Sequence, residues 1–387
     1  MAITDAPLVR AQRRSAAATG VRSRLSGSPW RHLDISLIVV LGLLSVVSVV
    51  MVLAATHGPR TTTNDTFFMV RQAMFVVIGF GVMFGVAMID YRRWREWWVG
   101  VYALGMLSLV FVMLFGISAK GTQRGFAIAG FQLQPSEFMK IAAVIVLAAL
   151  FADRAPDLRG TLTGLGVVAP PVVLILLQPD LGTALVFGAI TLGVLLVAGV
   201  PARVMLGLLL AASLATGVVL TSDVLAEYQK ARLTNFVNPD ALDRDARYNT
   251  EQSQIAIASG GLTGQGLLKG GQTSNGYVPE QQTDFIFTAI GEELGFVGAA
   301  SVLALYGFLL WRILRAAQLS RDAFGTLLCV GVFCMILFQL FENIGMSLGI
   351  MPVTGIPLPF MSYGGSSMLV AFILAGFVLN VHMRRFS

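Results

Sequence analysis

Cysteine, histidine and charge are all scarce in this chain, and each scarcity closes off a class of function. Two cysteines, Cys329 and Cys334, occur among 387 residues, both inside one apolar run. They read as small buried hydrophobes and offer neither a disulfide framework nor metal-ligand spacing. The three histidines, His32, His57 and His382, stand near the ends of apolar runs and in no motif. That argues against histidine catalysis and against a histidine metal centre. Only 12% of residues are charged and 56% are hydrophobic, where a soluble domain carries about 25% charged residues. The composition is that of a polytopic membrane protein. The formal charge of +6 sits on no basic helix and no aromatic-interleaved basic stripe, so no nucleic-acid partner is expected.

What the chain has instead is apolar length. Runs able to cross a bilayer fall at about 35–55, 67–89, 98–118, 136–152, 161–177, 180–199, 203–221, 284–314, 323–350 and 362–381, given a need for about 20 residues per crossing. The expected fold is all-α: about ten transmembrane helices in a single domain over residues 34–387. Residues 1–33 carry Arg10, Arg13, Arg14, Arg22, Arg24 and Arg31 among Ala, Ser and Gly, the composition of a disordered basic tail. They do not read as a cleaved signal peptide, because the first apolar run, Ile35 to Ala55, exceeds a signal core of about 7–15 residues.

Orientation follows from Lys and Arg. One set of turns holds Arg92, Arg93, Arg95, Arg154, Arg159, Arg203, Arg312, Arg315 and Arg321, and the tails add the N-terminal arginines with Arg384 and Arg385. The opposite turns hold little beyond Arg60, Arg71, Lys120 and Arg124. Both termini are therefore expected in the cytoplasm. Residues 222–283 form a large extracytoplasmic loop between the seventh and eighth helices; a loop of that length is commonly functional or disordered. Its Gly-rich part, Ser259 to Gly276, suggests a segment re-entering or lying on the membrane.

That topology gathers the unusual stretches on the outer face. Arg124 precedes the fourth helix, which opens Gln134-Pro135-Ser136-Glu137 with Lys140 one turn in. Pro135 suits a first helical turn, but Lys140 shares a face with Glu137 and can pair with it inside the bilayer. Gln178-Pro179-Asp180-Leu181-Gly182 caps an outer hairpin, with Pro179 read as a first-turn proline. Glu280, Asp284, Glu292 and Glu293 cluster where the large loop enters the eighth helix. A charge at membrane depth is a functional-site hypothesis by default. Asp284 reads either as a helix cap or as a reactive carboxylate at the membrane surface. If it is itself helical, Glu292 lies about 12 Å deeper on its face, and Glu292 and Glu293 belong to packing or a network rather than to reaction. Gly291 and Gly295 read as sites of close helix contact.

Ser362-Tyr363-Gly364-Gly365-Ser366-Ser367 is a Gly-rich turn at a helix start, open to an anion-cradle reading or to a plain turn. Together the outer face offers carboxylates, the cations Arg124, Lys140, Arg232, Arg247 and Lys269, and this turn. Such a set suits a lipid-linked substrate with a diphosphate and a hydroxyl to activate. The residues alone reach no further than a lipid-phosphate enzyme or transporter.

Five stretches, in order, resemble the SEDS family (shape, elongation, division and sporulation), nearer its rod-shape branch than its division branch. They are Gln134-Pro-Ser-Glu-Phe-Met-Lys140, Leu177-Gln-Pro-Asp-Leu-Gly182, Ser259-Gly-Gly-Leu262 with Gly264 and Gly266, Pro279-Glu280-Gln281-Gln282-Thr283-Asp284-Phe-Ile-Phe287 with Gly291-Glu-Glu-Leu-Gly295, and Pro352 to Ser367. Two departures stand out: Gln282 where the family usually has His, and Gly125 where Arg124 is usually followed by Trp.

The resemblance implies a peptidoglycan glycosyltransferase that polymerises lipid II at the outer face of the cytoplasmic membrane, for cell elongation and shape. It implies Asp284 as the essential carboxylate. Lys140, Glu137, Arg124, Glu280, Gln281, Lys269, Ser362, Gly364, Gly365 and Ser366 are the candidate substrate-binding residues. A divalent cation, Mg2+ or Mn2+, would suit a site shared with phosphates; no cofactor is required by the residues. Implied partners are lipid II and the growing lipid-linked glycan, a class B penicillin-binding protein with transpeptidase activity, and other membrane proteins of the elongation complex. The rival readings are a flippase for the lipid-linked precursor and a non-catalytic scaffold of wall synthesis.

Overall fold

The computed structural model describes residues 29–58, 66–119, 122–128, 131–153, 156–221 and 244–386. Most of the basic tail, Lys120, Arg154, Arg232 and the first part of the large loop lie outside the described residues, as do the side chains of Arg124 and Arg247.

The apolar runs fold as helices. After a 3₁₀ turn at Pro29–His32, α1 covers Ile35–Thr56 and α2 Phe67–Met88, a short α3 covers Tyr91–Glu96, and α4 follows at Trp98–Phe115. Next come α5 (Pro135–Phe151), α6 (Leu158–Leu177), α7 (Leu181–Ala198) and α8 (Ala202–Thr221). The chain then gives α9 (Arg244–Ser259), a single turn α10 (Gly271–Ser274), α11 (Ile286–Leu319), α12 (Ala323–Ser347) and α13 (Gly365–Met383). Eight of these are long and apolar enough to cross a membrane. The 22 residues of α1, for example, reach about 33 Å, enough for a hydrocarbon core of about 30 Å. Of the other expected spans, α5 has 17 residues and α8 has its apolar part in Ala202–Ala211.

Helix starts follow capping chemistry. The carboxylates of Asp34, Asp157, Asp180 and Asp322 accept the N–H of Leu37, Gly160, Thr183 and Gly325 at 3.1, 2.7, 3.1 and 2.8 Å, each satisfying a donor that the first turn leaves open. Asp180 is thus the cap of α7, so Pro179 lies before the helix rather than in its first turn. Pro135 does open α5.

A small antiparallel sheet stands where a simple turn was expected: β1 (Ile117–Ala119), β2 (Thr122–Ile128) and β3 (Phe131–Leu133), in the order β1-β2-β3. The third expected span, read to residue 118, overran because Gly116 is extended (φ −67, ψ 150) and ends α4 at Phe115. Arg124 lies on β2.

The 34-residue α11 is broken at Gly295, whose φ of 66 and ψ of −165 are not helical. A break frees backbone groups that lipid cannot satisfy. The Gly-rich segment supplies the partners: Gln265 and Gly266 donate to Glu292 O and Glu293 O at 3.0 and 3.1 Å, and Gly261 O and Leu262 O accept from Phe296 and Val297 at 2.9 and 3.1 Å. A Cβ at Gly295 would lie 2.3 Å from Gly264 N, so only glycine admits this approach. Gly295 therefore makes a loop dock rather than the helix contact expected of it. Gly291 does serve close helix contact: a Cβ there would lie 3.0 Å from the Ile257 side chain of α9.

The core runs between α1, α2, α5, α7, α11, α12 and α13, and α13 is the most enclosed of the spanning helices.

Candidate active site

Asp284 is half-buried in the turn before α11, not in the helix. The N-cap position belongs to Phe285, with no side-chain cap, so the capping reading of Asp284 does not hold, and the depth reckoned from a helical Asp284 does not apply. Glu280 is exposed with a left-handed φ of 52, and its carbonyl accepts the N–H of Asp284 at 3.0 Å. Backbone of this kind in a non-glycine residue is strained and tends to gather at functional sites.

Two neighbours hold Asp284. Asn343 of α12 donates from Nδ2 to Asp284 O at 2.7 Å and to Ile356 O at 2.8 Å. Gly355, with φ +74, lies so near that a Cβ there would be 3.2 Å from Asp284 Oδ2. Beside it, Thr354 donates from Oγ1 to Glu342 Oε1 at 3.0 Å. Gln281 is buried and donates from Nε2 to Thr273 and Thr288, both at 2.9 Å, which fixes the turn from below. Glu292 accepts the N–H groups of Gln272 and Thr273 at 2.7 and 2.9 Å and the Thr273 hydroxyl at 2.6 Å. Glu293 accepts Leu268 N–H at 3.1 Å. Both are network residues, as expected.

A second cluster joins three helix starts. Gln134, before α5, donates its N–H to Ser366 Oγ at 3.0 Å and its Nε2 to Asp180 Oδ2 at 3.2 Å. Ser366, at the start of α13, donates in turn to Gln132 O at 2.9 Å. The loop of residues 352–358 bridges this cluster to Asp284, since a Cβ at Gly182 would lie 3.1 Å from Thr354 O. The N-termini of α5, α7, α11 and α13 thus meet at one end of the bundle, where their open N–H groups can face an anion, beside the C-termini of α6 and α12.

Glu137 and Lys140 form the expected pair, Nζ to Oε1 at 2.7 Å, both buried. Lys269 is exposed on the docked loop. Ser362 accepts Leu358 N–H at 2.9 Å and its carbonyl takes Gln72 Nε2 at 3.2 Å. Gly364 is the N-cap of α13, and a Cβ at Gly365 would lie 2.8 Å from the Phe75 ring. Among the described residues, the hydroxyls of Ser362 and Ser366 hold the fold of the turn.

Sequence reading missed Glu342, Asn343 and Thr354. The signal was there: Glu342-Asn343 is a polar pair inside an apolar 25-residue helix, the same anomaly that singled out Glu137 and Lys140. Among the described residues no group of three or more His, Cys, Asp or Glu side chains could hold a metal ion. The donors present fit only a cation whose shell is completed by substrate oxygens.

Fold and site together define a multi-pass membrane protein with a carboxylate held at a meeting of helix N-termini. Residues 32–386 match the model of the FtsW/RodA/SpoVE family, described as cell cycle protein, and the chain belongs to that family. It is 36% identical to stage V sporulation protein E of Bacillus subtilis over 358 residues, 90% of this chain and 96% of that one. It is 35% identical to peptidoglycan glycosyltransferase MrdB of Escherichia coli K12 over 357 residues, 92% and 94% of the two chains. Among solved structures it is similar to a chain of a peptidoglycan synthase complex that coordinates polymerization and crosslinking, with a TM-score of 0.77, 29% identity, and coverage of 91% and 98%. It is also similar to the rod shape determining protein RodA of Thermus thermophilus, with a TM-score of 0.68, 28% identity, and coverage of 92% and 98%.

Proposed function

We propose that this chain is a peptidoglycan glycosyltransferase that polymerises lipid II into glycan strands, with Asp284 as its general base. The observation that carries the reading is the placement of Asp284, half-buried and clamped by Asn343 and Gly355 at the end where four helix N-termini meet. Its family membership and its likeness to relatives named as peptidoglycan glycosyltransferases support the same activity.

In this mechanism the acceptor sugar's 4-hydroxyl attacks the anomeric carbon of the donor chain as Asp284 takes its proton. A C–O bond forms on one face while the bond to the lipid diphosphate breaks on the other, with inversion. General-base help of this kind is worth about 10²–10⁴-fold. The helix N-termini supply partial positive charge for the departing diphosphate, Arg124 is the candidate cation for it, and Lys140, neutralised by Glu137, is a candidate only if the substrate displaces that partner. A Mg2+ or Mn2+ held by Asp284 together with the substrate's phosphate oxygens would supply charge neutralisation there. Glu280, Lys269, Gly364 and Gly365 are the substrate-contact candidates at this end, and the buried Gln281, Ser362 and Ser366 hold its loops.

The Arg and Lys distribution supports an active site on the extracytoplasmic side, with both termini cytoplasmic and residues 222–283 as an outer loop on one domain spanning 34–387. The relative in a complex that also crosslinks supports a transpeptidase partner of the class B penicillin-binding type.

The test is a glycan-chain gel with labelled lipid II, using purified protein alone and with a transpeptidase-dead partner. Polymer from wild type and none from Asp284→Ala is the expected result. Polymer from the variant would overturn the role of Asp284. No polymer from wild type with partner and Mg2+ or Mn2+ would overturn the activity and turn attention to lipid flipping, for which the buried Glu137–Lys140 pair is the observation in favour.

A further inference from the structure

We propose that Glu342 is a positioning residue for Asp284, acting through Thr354 and Gly355. The inference rests on the reading of Asp284 as the reactive carboxylate. Residues 352–358 have no regular secondary structure, so no ladder of their own fixes them and side chains from elsewhere must. Consecutive residues of α12 do so. Asn343 holds Asp284 O and Ile356 O at 2.7 and 2.8 Å, and Glu342 Oε1 holds the Thr354 hydroxyl at 3.0 Å. Between those two grips lies Gly355, the residue against Asp284 Oδ2. Asn343 fixes the Asp284 backbone; Glu342 fixes the surface under its carboxylate.

A fully buried carboxylate in an apolar helix is costly and calls for a reason. Its second oxygen, Oε2, has no hydrogen-bond partner among the described residues, nor do Gln339 Oε1 and Asn343 Oδ1 on the same helical turn. What the site uses is the single oxygen that holds Thr354. Glutamine keeps that oxygen and brings a donor to the acceptors, so it should serve as well.

Errors of about 1 Å at a reacting group cost on the order of 10²-fold in rate. Glu342→Ala is therefore expected to lower kcat for lipid II polymerisation by about 10- to 100-fold, with KM within about twofold of wild type. Glu342→Gln should keep kcat within about threefold. Thr354→Val, made from the other side of the contact, should reproduce the kcat loss, and the Glu342→Ala/Thr354→Val double variant should be no worse than either single change. Thr354→Val decides the matter should Glu342→Ala fail to fold. Wild-type kcat in a folded Glu342→Ala or Thr354→Val variant overturns the proposal. So does a Glu342→Gln variant as impaired as alanine, because charge rather than position would then be the requirement. Wild type and Asp284→Ala run beside them keep this failure apart from failure of the Asp284 assignment, which shows as polymer from Asp284→Ala.

Discussion

At the end of the bundle that carries Asp284, polar side chains mostly hold loop backbone; at the opposite end, ion pairs between carboxylates and arginines also tie the helices to one another. Asp34 there accepts from Ser36, from Leu37 N–H and from Arg312 Nε at 2.6, 3.1 and 3.0 Å, tying α1 to α11. Arg384 donates to Ala87 O and Met88 O at 3.1 and 2.9 Å and to Asn380 Oδ1 at 2.6 Å, so it closes the C-terminus of α2, where a cation is favourable. Asp322 accepts from the Tyr91 hydroxyl at 2.6 Å and from Arg92 Nε at 3.1 Å. Burial, then the Asp322 hydrogen bond, push the Tyr91 phenol well above its ordinary pKa.

The Asp284 end is finished less completely. Six of the eight buried side-chain polar atoms without a partner among the described residues belong to it: Gln72 Oε1, Ser136 Oγ, Gln272 Oε1, Gln339 Oε1, Glu342 Oε2 and Asn343 Oδ1. So do Leu268, Glu280 and Phe360, non-glycine residues with positive φ. Strain lowers stability, and it persists where a site must be shaped before its ligand arrives. The charged end holds the bundle together, and the Asp284 end spends part of that stability.

The largest expected break of this comparison is Asp284→Asn. Polymerisation should fall by at least about 10²-fold while the melting temperature in detergent stays within about 2 °C, because the substitution keeps the shape of a half-buried side chain that caps no helix. Loss of folding together with activity would mean that Asp284 is structural. Gly355→Ala comes next. Its Cβ would press on Asp284 Oδ2 at 3.2 Å and its φ of +74 would strain alanine, by about 1–2 kcal/mol. A kcat loss of about tenfold is expected, read in the same gel assay, and an unaffected kcat would detach Gly355 from the carboxylate.

How far the sequence announced these two ends differs between them, for physical reasons. Helices were legible because each must be apolar for its whole length. Asp284, Glu137 and Lys140 were legible because charge is rare in such runs. The strands at 117–133 were not, since segments of three to seven residues leave no period between two apolar helices. Nor was the docking of the Gly-rich segment on the Gly295 break, which is made by backbone groups and leaves only glycines as its trace. Glu342 and Asn343 carried a signal, yet their roles depend on a loop that folds back from residues 354–356. At the opposite end, the arginines gave an orientation by number, while their pairing with Asp34, Asp90 and Asp322 is a matter of tertiary structure alone.

Arg312→Ala sharpens the comparison from the other side. It leaves Asp34, nearly inaccessible, without its charged partner, and hydrogen bonds to charged groups are worth about 1.5–3 kcal/mol. The melting temperature should drop by several degrees, while kcat per folded molecule stays at the wild-type value. A kcat that falls in step with the Asp284 variants would show the two ends to be coupled and the division of labour to be wrong.

The smallest effect expected is one of pH. Burial opposes the charge of Asp34, but the hydrogen bonds from Ser36, Arg312 and Leu37, helped by the nearby His382, outweigh it and hold its carboxyl below the ordinary value of 3.8. A carboxylate whose folded pKa is depressed binds fewer protons in the folded state than in the unfolded one. Its contribution is therefore complete above about pH 4 and is lost as pH falls through the lower folded value. Thermal melts in detergent should be flat in this term from about pH 7 to about pH 4, then decline below it. Asp34→Asn should lower the neutral melting temperature and lessen the decline in acid, because the group that must take up the proton is gone. Equal acid sensitivity in wild type and Asp34→Asn would place the acid-labile group elsewhere, and the closing of the bundle at this end would then rest on Arg384 and Asp322 rather than on Asp34.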